Sequence, residues 1–306
     1  MERLVSYWDL LRESEVFLIM QERLTGFNQY GKSVQLQSRA IRAFLGLPKN
    51  SCSMGVLSEV DWLLPEYRTR LKMVRQYNRI LKMDNGRLTK KVYLWDRSLN
   101  DENIISSWSN EVKATFYSCG LNAIFDNNIY FQLKLVIDTI KEKFISDQAE
   151  YLKQECEQQT KLRTFNTFKQ FGILPSYVTK PLSFHQRKHL AKIRLGALAL
   201  RIETGRYSRP RLEIHERICP LCSENRIQQG LSPQIETESH FLFSCIQHIN
   251  LRVKWFSIIS KPEHFEILNE ATKLDIVLNR AENCKPTAQY IVDAYGVRSK
   301  LINKNL

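Results

Sequence analysis

The chain has no apolar run that approaches the roughly eighteen residues a membrane-spanning helix needs. It opens Met1-Glu2-Arg3 and goes on alternating apolar with charged residues, so no secretory leader is read. It has no internal repeat, no low-complexity tail and no Asp-Asp pair. Cysteine is sparse and odd in number, seven in 306 residues, which argues against a disulfide framework and fits a reducing compartment. Acidic residues are in deficit, with 32 Asp and Glu against 45 Lys and Arg, for a formal net charge of +13. Such an excess calls for a polyanionic partner, most simply RNA or DNA, in the cytoplasm or nucleus. Neither a membrane nor a small-molecule substrate is expected as a partner.

The cysteines that are present concentrate in one stretch. Cys219, Cys222, His240 and Cys245 read C-x2-C-x17-H-x4-C. Two thiolates on a tight turn and a later His/Cys pair form a donor set suited to one tetrahedral zinc ion. A closed Cys3His set leaves no position for water, so such an ion holds a fold and performs no hydrolysis. Pro220 and Leu221 suit the turn between the paired thiolates. Phe241, Leu242 and Phe243 are expected to pack beside the metal and keep it dry. His215 and His248 flank the set and either could substitute; His240 ranks first because it alone precedes Cys245 at knuckle-like spacing. Cys52, Cys119, Cys156 and Cys284 are expected to be dispensable for metal.

The hydrophobic fraction, 43%, and the length allow a sizeable core and two domains. Helical periodicity dominates, so the expected fold class is mainly α. Leu4, Trp8, Leu11, Val16 and Met20 recur at near-helical spacing over 1–33, with Gly26 and Gly31 as breaks. A second helix starts at Val34 and stops at Gly46 and Pro48. Residues 49–64 read as a loop. Pro65 opens a helix whose stripe is Tyr67, Leu71, Val74, Tyr77 and Leu81, and Asp84-Asn85-Gly86 ends it. A short segment through Trp95 leads to Asn100 or Asp101 as the cap of a helix carrying Ile104, Trp108, Val112 and Phe116, closed by Gly120. The longest run, 129–160, faces Leu133, Ile137, Ile140, Phe144 and Tyr151 one way.

Gly172, Pro175 and Pro181 break the pattern over 161–180, where a domain boundary is expected. Ser183 and Gln186 then make a capping box. The helix it opens carries Leu190, Ile193, Ala197 and Leu200 on one face, and Gly196 can divide it. Arg187, Arg194 and Arg201 recur every seven residues and make a slightly drifting row beside that face. With Lys188, Lys192, Arg206 and Arg209 they are the candidate phosphate contacts; covering the core edge with their methylene stems is the structural alternative. Arg211 and Arg217 extend the basic tract, opposed only by Glu203, Glu213 and Glu216. After Cys245, helices are expected over about 248–260, 263–281 and 286–302, with Pro262 and Pro286 marking starts.

Three stretches carry a family resemblance: Arg194-Leu-Gly-Ala-Leu-Ala-Leu-Arg-Ile-Glu-Thr-Gly-Arg206, Glu216-Arg-Ile-Cys-Pro-Leu-Cys222 and Glu236-Thr-Glu-Ser-His-Phe-Leu-Phe-Ser-Cys245. They look like the C-terminal region of reverse transcriptases from animal non-LTR retrotransposons. Arg39-Ala-Ile-Arg-Ala-Phe-Leu-Gly-Leu47 and Met83-Asp-Asn-Gly-Arg-Leu-Thr-Lys-Lys-Val92 resemble the segment after the polymerase domain in the same elements. The resemblance covers roughly Ser38 to Lys300 and is most specific in the Cys/His block.

Residues 1–33, helical by their spacing, diverge from the family, and the resemblance implies a helical thumb- or linker-like domain over 34–160. Over 161–306 it implies the basic helix and a small Cys3His zinc-bearing domain with C-terminal helices. It also implies a grip on template RNA and target DNA, with Cys219, Cys222, His240 and Cys245 as metal ligands. No catalytic residue carries over. The family's polymerase places carboxylates for two-metal phosphoryl transfer on an aromatic-x-Asp-Asp hairpin that this chain lacks, and no block matches the endonuclease. The expected function is a nucleic-acid-binding fragment without polymerase activity of its own. The reading from a different class is a host protein-interaction module that has kept the zinc domain.

Overall fold

The computed structural model describes residues 30–101 and 107–304. Leu4, Trp8, Leu11, Val16, Met20 and Gly26 lie outside the described residues, as does Ile104. The chain divides into two compact units, Met1–Gln37 with Trp62–Glu150 and Ser38–Asp61 with Tyr151–Leu306. Among the described residues the structure is helical. The longer helices are α1 (Tyr30–Leu45), α2 (Ser53–Val60), α3 (Pro65–Leu81), α4 (Leu88–Asp101), α5 (Ser107–Ser118) and α6 (Leu133–Glu157). They are followed by α7 (Phe184–Arg194), α8 (Ile249–Phe256), α9 (Glu270–Leu278) and α10 (Cys284–Lys304). The only extended pairing in the described residues is an isolated antiparallel bridge, Ile218 to Ile235. Helix α1 begins four residues earlier than Val34, so Gly31 lies in its first turn and breaks nothing.

In the first unit α3 begins with Pro65, where the missing N–H leaves no bond unmade. Its buried stripe is Leu71, Val74, Tyr77 and Ile80, with Tyr67 and Leu81 only partly covered at the edge. The rings of Phe116, Phe125, Tyr93 and Phe131 surround Tyr77, with centroids 5.4, 5.7, 5.8 and 6.5 Å away. These are the separations of offset and edge-to-face pairs. Asn78 clamps the backbone of Phe131, donating to its carbonyl at 3.3 Å and accepting from its N–H at 3.4 Å.

The segment through Trp95 is helix α4. Its Lys90 reaches back to the end of α3 and donates to the Ile80 and Leu81 carbonyls at 3.2 and 3.4 Å, acceptors that a helix end leaves orphaned. The periodicity misleads there because Leu88, Val92 and Trp95 form an apolar stripe on the exposed side. Asn100 and Asp101 are the last residues of α4. In α6, Val136, Ile137, Ile140 and Phe144 are buried, but Tyr151 is exposed and Gln148 is inside. Gln148 accepts from the Leu64 N–H at 2.7 Å and donates to the Trp62 carbonyl at 3.2 Å.

In the second unit the stretch expected as a loop holds α2. Its Gly55 to Val60 are all buried. A helix covered on every side has no polar face, so it leaves no amphipathic period to read. Glu59 pairs with Arg194, Nε to both carboxylate oxygens at 3.0 and 3.2 Å, and accepts the Tyr177 hydroxyl at 2.7 Å. Arg194 Nη1 donates to the Leu278 carbonyl at 2.7 Å and to Asn279 Oδ1 at 2.9 Å. A buried charge is tolerated only when paired and hydrogen-bonded, as this one is. Burial first, then the neighbouring Glu59 charge, holds the Tyr177 phenol well above its usual range. Burial likewise pushes the Lys169 ammonium down to about 8, against the pull of Glu59.

Leu162, Phe165, Phe168 and Tyr177 are core residues, so the expected boundary over 161–180 is interior to this unit, and the division falls instead inside α1 and α6. The Ser183–Gln186 capping box opens α7, which packs along α10. The chain leaves α7 through Gly196, whose φ of +59° favours glycine and whose Cβ, if present, would stand 2.8 Å from the Lys161 carbonyl oxygen. Beyond Cys245, α8 and α9 are shorter than the expected spans and α10 is longer. Pro262 precedes only a single turn at Phe265–Ile267, and α9 starts at Glu270 under an Asn269 cap. Pro286 sits inside the first turn of α10. Trp255 on α8 stacks on Tyr290 of α10 with ring centroids 4.2 Å apart.

Candidate metal centre and the basic segment before it

Two local devices bring the Cys/His residues together. The Ile218–Ile235 bridge lays the segment entering Cys219 beside the one leading to His240. It is extended by the Cys219 N–H donating to the Gln234 carbonyl at 2.8 Å and the Glu236 N–H to the Arg217 carbonyl at 2.9 Å. Cys222 then caps the short helix Ser223–Gln228, while the Ser223 hydroxyl closes on the Cys219 carbonyl. The second device is a single π turn, His240–Ser244, in which the Cys245 N–H donates to the His240 carbonyl at 2.9 Å. In an α-helix the fifth residue on points about 140° away; the wider turn brings Cys245 back toward His240.

The result is a buried Cys219–Cys222–His240–Cys245 group whose ligand atoms all lie within 4.8 Å of one another. The Cys219 and Cys245 sulfurs are 4.0 Å apart, and Cys222 Sγ is 3.5 Å from His240 Nε2. Zinc bonds of about 2.3 Å to sulfur and about 2.0 Å to nitrogen give tetrahedral edges of about 3.8 Å and about 3.5 Å, so the group could hold a metal ion such as zinc. His240 Nδ1 lies 2.9 Å from Gln234 Oε1, which fixes the tautomer that leaves Nε2 free for a metal.

The donor chemistry points the same way. Hydrogen bonding from Cys245 favours the Cys219 thiolate, whereas burial pushes Cys222 up to about 11 and the bond to Cys219 raises Cys245. Three buried thiols cannot all ionise without a cation among them; a divalent ion supplies that charge and would hold all three as thiolates. The apolar neighbours of the sulfurs are Leu221 and Ile246. Of the residues expected in that role, Phe241 packs on His248, and Phe243 packs on Trp255 and Phe265. His215 is exposed and outside the group. His248 is buried beside Phe241, and desolvation lowers it to about 4; it is also outside the group.

The basic row does not survive as a row. Arg201 belongs to a separate short helix, Arg201–Thr204, beyond the turn at Gly196. Arg194 is fully buried on Glu59 and meets no surface. Arg187 is half-buried, with its guanidinium over the Phe44 ring at 5.0 Å and donating to the Leu182 carbonyl at 3.3 Å. Lys188 and Lys192 are half-buried, and burial lowers the Lys192 ammonium. Arg206 binds Thr160 and pairs with Glu203 at 3.4 Å. Arg201 and Arg209, together with Arg211, remain exposed.

One acid outside the basic tract, Glu59, neutralises Arg194 within it, while two others pair with arginines beyond it. Glu236 grips Arg298 through two bonds of 2.7 and 2.8 Å and accepts the Arg201 backbone N–H at 2.5 Å. Glu238 pairs with Arg163 at 2.7 Å. Both acids precede His240 and are buried. Compared with known proteins, the chain matches no family model, no curated protein and no solved structure.

Proposed function

We propose that the chain is a nucleic-acid-binding fragment of the kind found after the polymerase domain of non-LTR retrotransposon reverse transcriptases. In this reading Cys219, Cys222, His240 and Cys245 hold one structural zinc, and exposed arginines around Arg201, Arg209 and Arg211 meet the phosphates of template RNA or target DNA. The observation that carries it is the closed, buried Cys3His group set directly behind an arginine-rich surface segment in a chain of net charge +13. Zinc would do no chemistry there. It would fix Cys219, and through the bridge at Ile218 and Ile235 the backbone of Arg217, so that the preceding segment is held in one conformation. No catalytic residue is assigned.

Titration of the zinc-loaded chain with single-stranded RNA over a range of salt tests the proposal. Affinity should fall with salt, with a slope of about −0.7 per phosphate contact. Replacing Arg201, Arg209 and Arg211 together with glutamine should flatten that slope by about two units. A wild-type chain that binds no nucleic acid even at low salt would sink the proposal. A second reading, a zinc-dependent protein-interaction module, draws support from Ile249 and Val253, exposed one turn apart on α8 immediately after Cys245. A stable protein complex formed by a chain that binds no RNA or DNA would favour that alternative.

A further inference from the structure

The loop 205–212 is tied at its base and open at its tip. The Leu212 N–H donates to the Gly205 carbonyl at 3.0 Å and the Ser208 hydroxyl to the same carbonyl at 2.9 Å. Beneath them lies the buried Arg217, whose guanidinium donates to the Leu212 carbonyl at 3.1 and 2.8 Å and to the Ile202 carbonyl at 3.0 Å. Only glycine fits above it, because a Cβ on Gly205 would stand 2.7 Å from Arg217 Cγ. The tip reads Arg206-Tyr207-Ser208-Arg209-Pro210-Arg211 and contains no acid. Tyr207 is 62% exposed, and Arg209 and Arg211 stand open beside it. Glu213 and Glu216, which follow, are tied to backbone N–H groups in a reciprocal cap. The Lys161 ammonium lies over the Tyr207 ring at 6.0 Å and is itself held by Glu203 at 2.5 Å.

From this geometry we infer that the loop 205–212 is a platform for single-stranded nucleic acid, on which an unpaired base stacks against Tyr207 while Arg209 and Arg211 take the flanking phosphates. The inference rests on the nucleic-acid function proposed above and narrows it to one strand form. Bases in a duplex are stacked on each other and offer no face to a side chain, whereas an unpaired base offers its π-face to any aromatic ring. The arginine fork matches phosphate oxygens two at a time. Two open arginines in the same short loop as the ring, with no acid in its tip, favour a polyanion over a protein surface. The tied base keeps the ordering cost of binding low, since Arg217 holds the loop before any ligand arrives.

The test titrates the zinc-loaded full chain with a short oligouridylate and with a short RNA duplex. Tyr207→Ala should weaken single-strand binding by about tenfold and leave the salt slope and duplex affinity unchanged. Tyr207→Phe should bind like wild type, because stacking uses the ring and not the hydroxyl. Unchanged zinc content in both variants shows that the fold is intact. Equal single-strand affinity of wild type and Tyr207→Ala, with the salt slope intact, overturns the platform and leaves the broader nucleic-acid function standing. Absence of salt-dependent binding in the wild type overturns both.

Discussion

Tyr77 and Tyr177 are both buried near the middle of their units, and their hydroxyls meet opposite surroundings. Tyr77 stands in a cage of rings, and its hydroxyl donates to the Phe125 carbonyl at 3.4 Å, a long and weak contact, with the neutral Tyr93 hydroxyl and Arg97 also in reach. Tyr177 donates to the Glu59 carboxylate at 2.7 Å, and its ring lies 5.2 Å from the Arg194 guanidinium. Among the described residues the first unit keeps its ion pairs partly solvated: Arg70 with Glu66 and Glu111, and Lys143 with Asp147. The second unit buries Arg194 on Glu59 and Arg298 on Glu236. The first core is thus specified by shape and tolerates changes that conserve volume. The second is specified by charge, where a missing partner leaves an uncompensated ion.

The largest test of that contrast is the metal. Purified chain should carry one zinc, and Cys219→Ser should lose it. Because zinc binding and folding are coupled, with apparent free energies of about 10 kcal/mol or more in small zinc domains, hydrogen-exchange protection should vanish over 217–245. Amides between Leu71 and Phe144 should keep theirs. Full zinc in the variant, or equal loss of protection in both units, would break the comparison.

Next in size is Glu59→Ala. It strands Arg194 in the core, and a urea melt should show the second unit destabilised by about 3–5 kcal/mol. A cost near zero would mean that Leu278 and Asn279 alone satisfy the guanidinium.

The smallest effect sharpens the comparison most. Tyr177→Phe removes a hydrogen bond to a charged acceptor and should cost about 1.5–3 kcal/mol, whereas Tyr77→Phe should cost about 0.5–1 kcal/mol. The reverse order in paired melts would contradict the two-core picture. The Tyr177 phenol is held above its ordinary value, so its contribution to stability is complete below pH 10 and declines as pH rises beyond that. The phenylalanine variant should lack that part of the alkaline decline.

What could be seen in advance was local. The Ser183–Gln186 cap, Pro65 at a helix start, the stops before Gly46 and Gly120, and the Cys/His group each depend on residues within a few turns or on a fixed spacing. What could not be seen depends on distant partners. Arg194 reads as a surface arginine until Glu59, 135 positions away, is placed against it. Helix α2 has no helical signature in the sequence because burial of Gly55 to Val60 erases the polar side that reveals a helix. In α4 the opposite holds, since an outward apolar stripe masks a regular helix. Glu236 and Glu238 leave a signal: two acids in a basic chain, just before a candidate ligand histidine, are poorly explained as surface residues. Tyr207 left a weaker signal, a single aromatic residue between arginines.

The short pairing at Ile218 and Ile235 joins the candidate metal centre to the loop above Arg217 by only a few backbone bonds. If both sites are occupied as proposed, that join makes their equilibria reciprocal. Whatever factor bound zinc adds to the affinity of the loop for an oligonucleotide, the bound oligonucleotide must add to the affinity for zinc. A nucleic acid on the loop would then tighten the hold on the ion, and competition for zinc would weaken the hold on the strand.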